Sequence, residues 1–366
     1  MNKNKISPLI LNVSVLNKSN NETVFVSSNN FDLTKQFLNQ NNFSYKPYRF
    51  ANCFSVKADM DDISILSNQN SVSYISSNPY VQTLFYERDF INLQNLTEGK
   101  FLGQNQTICF IDTGLHPHFD LIFPKSRILK FIDLINFNKT PYDDNGHGTF
   151  VAGVACGNGK INKSFMGFAP CANIISIKAL SENGNSNSNV ILDAMEWIFQ
   201  NHKVYNISVV CLSLGAVADN KLDPLSNGAE ALWNRGITVV AAAGNSGPKS
   251  ESIMSPGNNP NIITVGALDV SNNKVADFSS RGPTIYGHKP DLLAPAVNIT
   301  SCSNNSSFYT QMSGTSVATP IIAGICADIL SKHPQMKNTD IKNFLLNHCK
   351  KITGDADIEG AGYICF

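Results

Sequence analysis

Between residues 101 and 349, short continuous apolar runs alternate with segments whose apolar positions recur at helical spacing. The runs 107–111, 173–179, 207–212, 237–243 and 262–268 are predicted strands. Segments 189–202, 224–235, 316–332 and 340–348 are predicted helices. In 189–202, Ile191, Ala194, Met195, Ile198 and Phe199 fall on one helical stripe, with Ser186 or Ser188 as candidate caps. Uninterrupted apolar strands separated by helices predict an α/β, doubly wound, mostly parallel sheet covered on both faces. Ligands in such folds sit beyond the carboxyl ends of the strands.

Residues 7–85 have a different texture, rich in Asn and Ser. Strand-like runs at 9–16, 44–49, 53–57 and 72–76 enclose predicted helices at 31–41 and 60–67, a βαββαβ order that predicts a small α+β, ferredoxin-like domain. Weak periodicity from 82 to 100 reads as a linker. The expected division is therefore 1–85, a linker 86–100, and a main domain 101–366.

With 42 % hydrophobic and 15 % charged residues, the chain has ample material for a large core. Its formal net charge is zero, so no basic surplus points to nucleic acid or an anionic membrane. The nine cysteines are odd in number and contain no CxxC spacing, which reads as free thiols in a reducing compartment. The apolar stretch from Pro8 to Val15 is short for a secretory segment and is broken by Asn12, so the expected location is cytoplasmic.

Four motifs carry candidate chemistry. Asp112 ends a predicted buried strand in FIDTG (110–114), where a carboxylate can cap a turn or face a reaction. His147 lies between Gly146 and Gly148, which permit close backbone approach. Asn245 follows a strand of small residues; its amide can close a turn or donate to a developing oxyanion. Ser316 opens an apolar helix, where a serine is either a plain cap or a nucleophile beside free N–H groups. Together they run Asp, His, Asn, Ser along the chain, the order of one of the known serine-protease constellations.

With these residues on the page, the chain resembles the subtilisin-like serine proteases (subtilases, peptidase family S8) over about residues 101–349. The resemblance rests on FIDTG (110–114), NGHGTFVAG (145–153), SLG (213–215), AAAGNSG (241–247) and GTSVATP (314–320). The stretches 197–215 and 278–295 look most like bacterial AprX-like subtilases. The resemblance implies a serine endopeptidase acting through an acyl-enzyme, with Ser316 as nucleophile, His147 as base, Asp112 orienting the imidazole and Asn245 in the oxyanion hole. Ser213, Leu214 and Gly215 would pair with extended substrate. Ala241, Ala242 and Gly244 would wall the pocket for the residue before the cleaved bond, and their lack of charge implies an apolar or uncharged side chain there. No cofactor is implied for catalysis; calcium is a candidate ion, with Asp120 a candidate ligand.

The resemblance further implies polypeptide substrates and an N-terminal region acting as propeptide and intramolecular inhibitor, self-cleaved between about 82 and 100. A permanent N-terminal domain without processing is the alternative. Phe150 stands where the family usually has His, and Ala296 where it has Gly. A catalytically silent subtilase-fold regulatory protein competes with the enzyme, but it would usually have lost a triad residue. An esterase is disfavoured because no G-x-S-x-G elbow is present.

Overall fold

A computed structural model describes residues 1–13, 22–83, 102–218 and 223–365. Its largest element is a ten-stranded sheet. Seven consecutive strands run parallel across its centre, in the order Ile128–Asp133, Asn173–Lys178, Thr107–Asp112, Ile207–Leu212, Thr238–Ala242, Ile263–Asp269 and Leu292–Pro295. Thr107–Asp112 and Thr238–Ala242 are buried at every position, which is why they read as unbroken apolar runs rather than alternating ones. Helix Thr315–Lys332 lies over the middle strands, and fifteen of its residues are buried. The predicted helices at 189–202 and 224–235 appear as Ser188–Asn201 and Pro224–Trp233. The second begins with Pro224 and is capped by Asp223. Among the described residues no helix is long and apolar enough to cross a membrane.

The N-terminal region carries its own four-stranded antiparallel sheet and its own apolar core. The strand–helix order is βαββαβ, but its first strand is Glu22–Ser28, not the 9–16 run. Pro8–Val13 is instead a short helix, begun by Ser7, whose hydroxyl accepts the Leu9 N–H and whose carbonyl accepts that of Ile10. The rest of that run lies outside the described residues. Tyr48 anchors this sheet to the main domain. Its ring is fully buried and its hydroxyl donates to Asp193 at 2.7 Å, while Lys46 pairs with the same carboxylate. Phe50 rests on Phe199, 5.5 Å between ring centres.

Beyond the sheet, Tyr80–Thr83 extends as a strand between Leu214–Ala216 and Asn185–Asn187, pairing antiparallel with both. Replacing Tyr48 by Phe keeps the ring but strips Asp193 of a buried donor. Asp193 keeps Lys46, so the loss is expected to be about 0.5–1.5 kcal/mol, measured by denaturant unfolding.

Candidate active site

Asp112 ends its strand at the carboxyl edge of the sheet, where its carbonyl accepts the N–H groups of Ala179 and Leu180 on the neighbouring chain segment. His147 opens helix His147–Cys156, and Ser316 is the second residue of Thr315–Lys332. Three elements thus bring together residues separated by as many as 204 positions. Asp112 Oδ1 lies 2.7 Å from His147 Nδ1, and His147 Nε2 lies 3.0 Å from Ser316 Oγ. All three side chains are buried, at 1 %, 0 % and 0 % exposure. Asp112 Oδ1 also accepts the Thr113 N–H at 2.7 Å, which fixes the carboxylate's orientation.

The glycines flanking His147 serve close approach. Gly146 has φ +103°, and a Cβ on Gly148 would stand 2.2 Å from the Gly114 carbonyl oxygen and 3.2 Å from Asp112 Cβ. Any side chain there would drive the histidine loop off the aspartate loop. Phe150 points into the core, fully buried, so the residue that departs from the family pattern is a packing element. Ala296 avoids the left-handed region, so its turn does not require glycine.

Asn245 Oδ1 accepts the backbone N–H of Thr315 at 3.0 Å and the Thr315 hydroxyl at 2.9 Å. With its oxygen committed, the amide turns its nitrogen the other way, and Nδ2 is buried without a partner. An unpaired buried donor is costly, and one beside a serine at a helix N-terminus is placed to donate to an anionic oxygen. Ser213 Oγ donates to the Ser316 carbonyl at 2.8 Å, bracing the serine's backbone. Leu214 pairs with Thr83 and Gly215 with Gln82, so these residues hold an extended segment of polypeptide. Ala241 and Ala242 end strand Thr238–Ala242, and Gly244 follows with φ +112°.

Several contributors were not legible as motifs. Met254 packs against Ala242, and its Cγ would meet a Gly244 Cβ at 2.6 Å. It forms an apolar side of the space beside Gly244. Asp143 binds both loops: Oδ1 accepts from Thr113 Oγ1 and the Gly146 N–H, and Oδ2 from the Thr149 N–H and hydroxyl. Lys178, fully buried, donates to the Thr113 carbonyl and Asp144 Oδ1, each at 2.6 Å, and to the Leu180 carbonyl at 3.1 Å. A buried ammonium is tolerated only when paired in this way.

Asp120, the candidate calcium ligand, does not fit that ion. Its Oδ1 accepts the Ile161 N–H at 2.9 Å and its Oδ2 accepts the Tyr309 hydroxyl at 2.7 Å. Its nearest ligand-type neighbours are His118 and Cys302, nitrogen and sulfur donors, whereas calcium takes six to eight oxygens. The Arg127 guanidinium also binds the Asp120 carbonyl, placing a fixed positive charge nearby. Burial, then the bond to Asp120, pushes the Tyr309 hydroxyl well above its ordinary pKa, so it remains a donor. Protein donors here do the work of a cation in tying the 157–163 loop to the Asp120 turn.

Comparison with known proteins follows the same lines. A family model described as the subtilase family matches residues 103–362. Serine protease AprX of Bacillus subtilis (strain 168) is 38 % identical, over 86 % of this chain and 78 % of that protein. Subtilisin Savinase of Lederbergia lenta is 34 % identical, over 72 % of this chain and 89 % of its own. M-protease of Shouchella clausii (strain KSM-K16) is 31 % identical, over 85 % and 77 %. These relatives overturn the expected cytoplasmic location, because their company among the subtilisins points to secretion.

Two substitutions probe the supports. Lys178→Met leaves Asp144 and the Thr113 carbonyl without their buried donor. Because Asp144 is partly solvated and the buried groups left unpaired are carbonyls, it should cost about 1–3 kcal/mol of stability, read by denaturant unfolding. Tyr309→Phe should cost about 1–3 kcal/mol whether or not calcium is added, read as the shift in thermal midpoint in calcium and in chelator.

Proposed function

The chain belongs to the subtilase family, and we propose that Asp112, His147 and Ser316 form the triad with which it hydrolyses peptide bonds. It is a subtilisin-type serine endopeptidase, and subtilases need no cofactor for catalysis. The observation that carries the residue assignment is the unbroken hydrogen-bond chain from Asp112 through His147 to Ser316.

His147 Nε2 takes the Ser316 hydroxyl proton as Oγ bonds to the substrate carbonyl carbon. The oxyanion that forms is met by Asn245 Nδ2 and the Ser316 backbone N–H. Removing such an amide donor in a subtilisin costs about 10²–10³ in turnover. Asp112 keeps the imidazole in one tautomer and stabilises the imidazolium without itself accepting the proton. The imidazolium then protonates the leaving amine, the C–N bond breaks, and an acyl-serine remains. Water deprotonated by the same histidine releases the acid and restores the serine.

The space beside Gly244 is bounded by Met254, which packs on Ala242, and by the Ser280 hydroxyl, all uncharged, which supports cleavage after an apolar or uncharged residue. Ser213, Leu214, Gly215, Ala241, Ala242 and Gly244 are the substrate-binding residues of this reading. The antiparallel seating of Tyr80–Thr83 on Leu214–Ala216 supports a zymogen in which residues 1–85 act as propeptide, inhibitor in cis and model of a bound substrate strand. The peptidase domain would then be 101–366, with self-cleavage between about 82 and 100. All but the first two residues of that window lie outside the described residues.

Mass spectrometry of wild type beside Ser316→Ala tests this reading. Shortening near residues 82–100 is expected in the wild type alone, together with fluorophosphonate labelling that the variant lacks. Equal shortening of both would assign the cut to another protease. A wild type that takes no label would make the chain a silent member of the family.

A further inference from the structure

Asn145 touches two systems at once. Its Oδ1 accepts the backbone N–H of His147 at 3.1 Å, and its Nδ2 donates to the carbonyl of Glu182 at 2.9 Å. Glu182 belongs to the turn that feeds strand Asn185–Asn187. That turn is closed on itself, the Ser181 N–H bonding the Asn185 carbonyl and the Gly184 N–H bonding the Ser181 carbonyl, both at 2.9 Å. A displacement of the strand is therefore carried to Glu182.

Asn185–Asn187 is an edge strand, and Tyr80–Thr83 is its one sheet partner among the described residues. The Thr83 N–H also bonds the Gly184 carbonyl at 2.9 Å. A Cβ on Gly184 would meet Thr83 Oγ1 at 2.7 Å and Asn145 Nδ2 at 3.5 Å, so the asparagine amide lies against the point where the two chains meet. An edge strand leaves one row of backbone groups without a sheet partner until another chain pairs with it.

We propose that Asn145 is a positioning residue that couples occupancy of this strand track to the setting of His147. The inference rests on the reading of His147 as base and of the 80–83 track as the substrate path. A peptide long enough to pair with Asn185–Asn187 steadies the turn and holds the Glu182 carbonyl against the amide. The amide then holds the first turn of the histidine helix. A substrate too short to reach the edge strand leaves that tether slack, so turnover rises with substrate length through Asn145.

The test is Asn145→Ser in the full chain as purified, with active sites counted by fluorophosphonate labelling. Serine still offers an acceptor to the N–H two residues on, but is too short to reach Glu182. Two substrates are compared: a chromogenic peptide with four residues on the acyl side, and a single-residue ester. The expected result is a fall in kcat of about ten-fold on the long peptide, with KM within about two-fold and the ester's kcat unchanged. An unchanged ratio of long to short kcat, or an equal loss on both, overturns the coupling while leaving the triad intact. A wild type that takes no label overturns the underlying reading and the coupling with it. If Asn145→Ser is not recovered folded, Asn145→Thr carries the test by the same criteria, since its hydroxyl also offers an acceptor to the His147 N–H and is too short to reach Glu182.

Discussion

A single buried carboxylate holds the two loops of this site together. Asp143 receives five donors from the aspartate loop and the histidine loop, and Gly114 forms an isolated antiparallel bridge with it. A carboxylate away from water must be satisfied by the protein, so each donor is drawn to one fixed point. The consequence is geometric. Asp112 and His147, separated by thirty-five residues, keep a contact of 2.7 Å because their loops cannot drift apart. Lys178 secures the same loops from the adjacent strand, its backbone in register with Asp112.

Beside the site, an extended segment is held by its backbone between two strand edges. Leu214–Ala216 and Asn185–Asn187 offer strand edges on either side of an extended segment, and the N-terminal region fills the gap with its own Tyr80–Thr83. Main-chain pairing gives affinity without sequence demand, and only alternate side chains face the walls. Of the four residues in that segment, Val81 is fully buried while Tyr80 is largely exposed.

All nine cysteines are free, and six are buried. Burial pushes the thiols of Cys53 and Cys156 up to about 12, so they stay protonated and unreactive near neutrality. The sequence reading tied free thiols to a reducing compartment. The fold gives the six buried ones another protection, exclusion from solvent and oxidant, while Cys171 and Cys365 stay exposed.

The strand runs, the main helices and the five motif blocks were legible because each is set by neighbours in sequence: apolar continuity, helical spacing, a glycine where backbone must approach. Asp112, His147, Asn245 and Ser316 could be named for that reason. The first strand, Glu22–Ser28, escaped because its apolar centre of three residues is flanked by polar ones, and the helix Pro8–Val13 was misread because six residues cannot distinguish period two from period 3.6. Lys178, Asp143, Met254 and the two ends of Asn145 carry no local signature. Each has a partner distant in the chain, Thr113 for Asp143 and Lys178, Glu182 for Asn145 and Gly244 for Met254, that only the closing of the sheet brings within reach. By itself the sequence determined which groups can do the chemistry. Tertiary structure decided which groups hold them still, because that depends on distances between loops that no local pattern encodes.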